Sequence, residues 1–282
     1  GPVGSRRGAD MELDPFELFL WEPIFLAGTP LAINRVVLLM FVASAACITF
    51  FLVGSRRGAL VPKGMQNLVE TAYLFVRNNI AIDVIGPEGV KYAGYLTAVF
   101  YFIFFANLLE IVPGINFPVT SRMAIPAVLA MLTYVVFITV GIIKQGPIKY
   151  FKGVLFPPGV PWPVYILLTP IELFSTFIFR PLTLAIRLLA NMMAGHVLLT
   201  IFFLFTADFV RFDITLPLGI VTALVSSVLI LFEMIVITIQ AYIFTTLTAF
   251  YISESLHGHG EEEHEEESHS EGRQYETEGV AA

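Results

Sequence analysis

Two unbroken apolar stretches dominate the second half of the chain. Residues 164 to 207 and residues 214 to 252 each hold about twice the 20 or so apolar residues that one membrane span needs. In hydrocarbon every backbone N–H and C=O must be satisfied within its own segment, so such stretches fold as helices. Fully helical, they would be about 66 and 58 Å long, roughly twice the thickness of a bilayer core. Neither contains a convincing interior loop, so each reads as one long, strongly tilted helix rather than two upright ones. Pro170 and Pro181 are placed to bend the first. The link from Asp208 to Asp213 is short, which makes the pair an antiparallel hairpin.

The first half follows the same logic. Spans are expected at about Ile33 to Val53, Tyr92 to Val112 and Met123 to Ile143, each near the length a bilayer requires. Met65 to Ile82 intersperses Gln66, Glu70, Arg77 and Asn78 with Leu68, Leu74, Phe75 and Val76, the pattern of an amphipathic helix lying at the membrane surface. Pro157 to Pro163 reads as a turn. The expected fold is therefore an all-α polytopic membrane protein. It has five membrane-crossing helices plus one interfacial amphipathic helix, and the last two crossings form the hairpin. The membrane body covers residues 33–253, after an outer N-terminal segment, 1–32. Met11 is the expected natural start and 1–10 an upstream remnant.

Composition agrees and removes other classes. The chain is 56% hydrophobic and 14% charged, against about 25% charged in soluble domains, and its mean hydropathy is +0.78. The net charge of −7 comes from the tail, where Glu254 to Glu278 holds ten acidic residues and one Arg. Residues 254–282 read as a disordered, acidic, His-rich cytoplasmic tail. His257 to His269 contains metal-ligating residue types, but a solvated tail accounts for them and no metal or cofactor is expected. The single cysteine, Cys47, lies inside the first span, which excludes internal disulfides. No basic surface interleaved with aromatics suggests nucleic acid. The loops Arg56–Lys63 and Lys144–Lys152 carry three positive residues each, and the opposite connections carry one each. The first set is then cytoplasmic, with the N-terminus outside and the C-terminus inside.

Against this apolar background a few polar residues stand out. Arg187 lies within Arg180–Phe205, where a permanent charge costs roughly 2.5–3.5 kcal/mol on insertion scales unless it faces water or a partner charge. Asn191 is four residues on and shares its face. His196 is nine residues on, about 13.5 Å outward and rotated to the opposite face. On the last helix Glu233 and Gln240 are seven apart and share a face, about 10.5 Å apart in depth. If Gln240 is level with Arg187, antiparallel pairing brings Glu233 within about 3 Å in depth of His196. Ser226 extends that stripe outward. Glu172, Ser175 and Thr176 form a second polar set toward the cytoplasmic start of the long helix. His and Glu can relay protons near neutral pH. Arginine holds its proton and acts as an electrostatic barrier.

RLLANMMAGH (Arg187–His196) followed by EMIVITIQAYIF (Glu233–Phe244) resembles subunit a of F-type ATP synthases, the stator of a membrane rotor. ANLLEIVPG (Ala106–Gly114) and PIELFSTFIFRPLTLAIR (Pro170–Arg187) match the same pattern, and the resemblance spans about Gln66 to Ser253. It implies a non-catalytic subunit that works with an oligomeric ring of subunit c, peripheral-stalk subunit b and the rest of the complex. The membrane implied is an energy-transducing one, of bacterial plasma-membrane type. Arg187 would face the ring carboxylate, with Asn191, His196, Glu233 and Gln240 as its proton-translocating companions. Glu110, His196, Glu233 and Ser226 would line an outer half-channel, and Glu172 and Ser175 an inner one. Some relatives carry the acid first and the His second; this chain has the reverse order. The His/Glu-rich tail departs from the family pattern.

Plainer readings stand beside these. His196 alone suits a satisfied core histidine, and Asn191 and Gln240 suit interhelical hydrogen-bond glue. Glu110 and Glu172 fit interfacial positions equally well, and Arg180 reads as a headgroup anchor. The main alternative function is a secondary ion-coupled transporter with an Arg/His/Glu relay, although the repeated halves of such folds are not visible. A hydrolase built on Ser226 or Ser227 with His196 lacks a nucleophile motif, and His196 with Glu233 supplies too few ligands for catalytic zinc.

Overall fold

Helix is the only regular secondary structure among the described residues of the computed structural model, which are 35–56, 62–112, 119–156, 162–210 and 216–257. The helices in chain order are α1 (Arg35–Ser55), α2 (Met65–Val76), α3 (Asp83–Ile85), α4 (Ala93–Leu108), α5 (Ala124–Gln145), α6 (Pro147–Leu155), α7 (Tyr165–Phe174), α8 (Arg180–Phe209) and α9 (Leu216–His257). α1, α5, α9 and the continuous run from Tyr165 to Phe209 are long and apolar enough to cross a membrane, and α4 is a shorter apolar helix. The expected all-α polytopic fold is the one observed. The N-terminal segment, most of the acidic tail and most of Pro157–Pro163 lie outside the described residues.

Wide π turns join two pairs of helices: Arg77–Ile82 links α2 to α3, and Ser175–Phe179 links α7 to α8. The second lies just before Pro181. Proline has no N–H to offer the Phe177 carbonyl four residues earlier, and a widened turn accommodates the mismatch. Pro170 removes another ladder bond inside α7. The 45-residue helical run would be about 68 Å long if regular, and these breaks divide it.

α8 and α9 are antiparallel. Their contacts step in opposite directions along the two chains: the backbone of Phe209 against Gly219, Thr206 against Ser226, Gly195 against Glu233, and Arg180 against Glu254. The main core gathers around this hairpin. Leu184 and Leu188 of α8 and Phe244 and Ile252 of α9 pack with Leu96, Phe100 and Ile103 of α4, Phe137 of α5, and Ile80 and Ile85 from the α2–α3 segment. A smaller cluster joins Val36, Leu39 and Ala43 of α1 to Ala106 and Val119. α2 is amphipathic as expected. It buries Val69, Ala72 and Val76, and Gly54 of α1 lets Val69 approach so closely that an added Cβ would lie 2.5 Å from the Val69 Cβ.

Three local features differ from the sequence reading. The basic loop after α5 contains the helix α6, opened by Gly146 (φ 81°) and Pro147 and seated by Tyr150 and Val154. At nine residues, α6 is too short to announce itself by periodicity. The last helix continues through Ser253 to His257, so Glu254 and Ser255 belong to the folded body rather than to the tail. Arg180 is not a headgroup anchor. It forms a two-pronged ion pair with Glu254, Nη2 to Oε1 at 2.7 Å, and its guanidinium lies 5.2 Å from the centre of the Tyr251 ring.

Candidate functional site: a buried carboxylate file beside an outward arginine

α8 presents two chemically different faces. Leu184, Leu188, Met192, Gly195, His196 and Leu199 are buried. Thr183, Arg187, Ala190, Ala194, Leu198 and Ile201 are exposed and recur at the spacing of one helix face. Arg187 therefore points out of the bundle from a stripe of mostly small or apolar side chains. Asn191, one turn beyond it, is half-buried between the faces. A fixed cation on the outer surface of a membrane helix costs several kcal/mol unless something polar or anionic meets it.

The opposite side of α8 meets two buried acids. Glu110 (1% exposed) sits in the turn that ends α4, its N–H bonded to the Asn107 carbonyl at 3.0 Å. Its Oε1 lies 3.6 Å from Nδ1 of the buried His196, within ion-pair range but beyond a good hydrogen bond. Glu233 (4% exposed) projects from α9 onto Gly195, next to His196 in sequence. An added Cβ at Gly195 would lie 2.6 Å from the Glu233 carboxyl carbon, so glycine lets the acid sit against the α8 backbone where any side chain would push it away. Glu110 and Glu233 are close enough to feel each other's charge. Ser226, also buried, lies 3.3 Å from Thr206 toward the hairpin tip. Gln240, one step deeper on α9, is buried too. By the hairpin register it falls about level with the turn carrying Arg187 and Asn191.

Hydrogen bonding in this file is incomplete. Both carboxylate oxygens of Glu110, Oε1 of Glu233, Nε2 of Gln240 and Nδ2 of Asn107 are buried without a hydrogen-bond partner among the described residues. Buried polar atoms are nearly always satisfied, and each exception needs an explanation. Five such atoms fall on these four residues, and leaving them without partners costs stability. Asn107, which accepts a hydrogen bond from Thr120 through Oδ1, was missed by the sequence reading. Its signal was present, since Asn107 is a lone amide in an apolar stretch three residues before Glu110.

The second polar set lies at the other end of the hairpin. Glu172 and Ser175 are half-buried, and Thr176 is buried with no partner for Oγ1 among the described residues. Glu172 is near enough to Arg180 for their charges to interact. Glu110, His196, Glu233 and Ser226 thus collect on one side and at one end, and Glu172, Ser175 and Thr176 at the other. Arg187 faces outward at a depth between the two groups.

The whole helical body is similar to known proteins. The family model described as ATP synthase A chain matches residues 37–253. ATP synthase subunit a of Frankia alni is 43% identical over 244 residues, covering 86% of this chain and 84% of the relative. The Rhodococcus erythropolis subunit a is 41% identical over 242 residues, covering 85% and 88%. The Hyphomonas neptunium subunit a is 36% identical over 249 residues, covering 87% and 96%.

Proposed function

The chain belongs to the ATP synthase A chain family, and from that membership and the geometry of the hairpin we propose that it carries protons to and from a rotating ring of small subunits, with Arg187 facing the ring's essential carboxylate. The single observation that carries this reading is the split between the faces of α8. One side holds a buried file of Glu110, His196 and Glu233 in which carboxylate oxygens of the two acids lack hydrogen-bond partners among the described residues, and another turns a permanent cation outward.

In this reading protons enter from outside past Glu110, His196, Glu233 and Ser226 and neutralise a ring carboxylate. Removing its charge removes most of the cost of moving that group through lipid. Rotation brings it to an inner path near Glu172 and Ser175, where it gives up the proton. Arg187 favours the ionised carboxylate by direct attraction and cannot itself pass a proton on. It therefore separates the two paths. Asn191 and Gln240 keep its surroundings polar. The exposed small residues Thr183, Ala190 and Ala194 would let a ring helix approach closely. Membrane potential contributes about 2.3 kcal/mol per charge per 100 mV.

The basic-loop rule assigns the Lys144–Lys152 end to the cytoplasm. Interactions at that end support one common side: Lys144 with Glu88 at 2.9 Å, Gln145 with the Ser255 carbonyl at 2.8 Å, and Arg180 with Glu254. The setting proposed is an energy-transducing bacterial membrane, with the ring, a peripheral-stalk subunit b and the soluble sector as partners.

The test is Arg187→Ala in the assembled complex. ATP synthesis driven by a proton gradient should vanish while the subunits still co-purify. Normal ATP-driven proton pumping by this variant would overturn the assignment.

A further inference from the structure

Below Arg187 the ion pair between Arg180 and Glu254 borders a small, partly open cavity. Arg180 opens α8 and Glu254 lies in the last turns of α9; their side chains are 18% and 13% exposed. They line a cavity of about 20 Å³ together with Gln145 of α5, Tyr150 of α6, Thr176 of the π turn and Ser255 of α9. A cavity of that size has room for one water where polar partners such as Thr176 and Tyr150 border it. Thr176, 2% exposed, lines it and its hydroxyl has no partner among the described residues. Burial pushes the Tyr150 phenol above its ordinary range, so it remains a protonated donor. Five elements, from three separate stretches of the chain, converge here. The guanidinium belongs to a residue seven positions before Arg187, about 10.5 Å along the axis.

We infer that Arg180 and Glu254 form the cytoplasmic mouth of the proton path, and that Glu254 serves to cancel the charge of Arg180 so that a proton can pass. This rests on the stator reading above and adds a charge-balancing residue to it. The physical argument is electrostatic. A proton arriving from the cytoplasm, or leaving toward it, must pass near a guanidinium that cannot deprotonate. With Glu254 in place the site is neutral. Without it, an uncompensated cation stands in the same half of the hairpin as Arg187, and both repel the proton. The Thr176 hydroxyl and the cavity would supply the polar step between the mouth and Glu172.

A clamp that merely fastened the hairpin ends would behave differently, and ATP-driven proton pumping in membrane vesicles containing the whole complex separates the two. At an effective dielectric near 20, a bare unit charge about 10 Å away slows proton passage about tenfold. Glu254→Gln should therefore lose about that factor in flux with normal subunit stoichiometry. Arg180→Gln, which leaves a negative mouth, should be milder, and the double Gln variant should recover to within a few-fold of the parent. Equal impairment of both singles and the double would show a clamp and overturn the inference, as would an unimpaired Glu254→Gln. Should Glu254→Gln fail to assemble, Thr176→Val decides: it keeps shape and charge, and it should reduce flux if the path uses the cavity. Unchanged flux would overturn the inference. Arg187→Ala measured in parallel keeps the readings apart, because normal pumping by that variant would count against the stator role itself.

Discussion

Gly195→Ala should sharply slow proton flow while leaving the complex intact. The new Cβ would stand 2.6 Å from both the carboxyl carbon and Oε2 of Glu233. Carbon atoms rest at about 3.5 Å or more, so the acid must withdraw by about 1 Å. It can do so, since the clashing group is the end of a flexible side chain and not backbone. Overpacking costs about 1–3 kcal/mol, but alanine recovers about 1 kcal/mol of helix propensity over glycine. Net stability should therefore change little. A misplacement of about 1 Å in a reacting group can cost about a hundredfold, so proton flux should fall by about ten- to a hundredfold. Shortening the acid by one bond of about 1.5 Å, in Gly195→Ala combined with Glu233→Asp, should restore part of it. The assay is ATP-driven acidification of vesicles, normalised to co-purified subunits. Flux within twofold of the parent in Gly195→Ala would refute the reasoning. So would a double variant no better than the worse single.

Exchanging His196 and Glu233 together should be milder in the same assay than losing either, because the pair's groups are kept; a double exchange as poor as the single losses would argue against their coupling. Gly141→Ala should lower thermal stability in detergent by about 1–3 kcal/mol, since the added Cβ would lie 2.5 Å from Cδ2 of the buried Tyr150 ring, which has little freedom to move. Lys144→Ala should change stability by less than about 1 kcal/mol, the usual worth of a surface pair, because Lys144 and Glu88 are 49% and 41% exposed; a larger loss would mean that this contact organises the loops.

The sequence by itself determined the helical class, because in lipid each apolar segment must satisfy its own backbone; four of the five expected crossings are helices long and apolar enough to span, and α4 is shorter than the span expected there. It also brought Glu233 and His196 to a common depth, since seven-residue spacing and a short link leave an antiparallel hairpin little freedom. Only the tertiary structure decided which groups meet. Glu110 approaches His196 from another helix, and Arg180 finds Glu254 across 74 residues. Helical periodicity says that Arg187 and His196 lie on opposite faces, but not which face a neighbour will cover; that depends on how α4, α5 and α9 pack around α8. α6 stayed invisible because nine residues carry too little periodic signal and are held by Tyr150 against Gly141. What is local to one helix is written in its own residues, whereas pairings between remote helix ends arise only when the bundle closes.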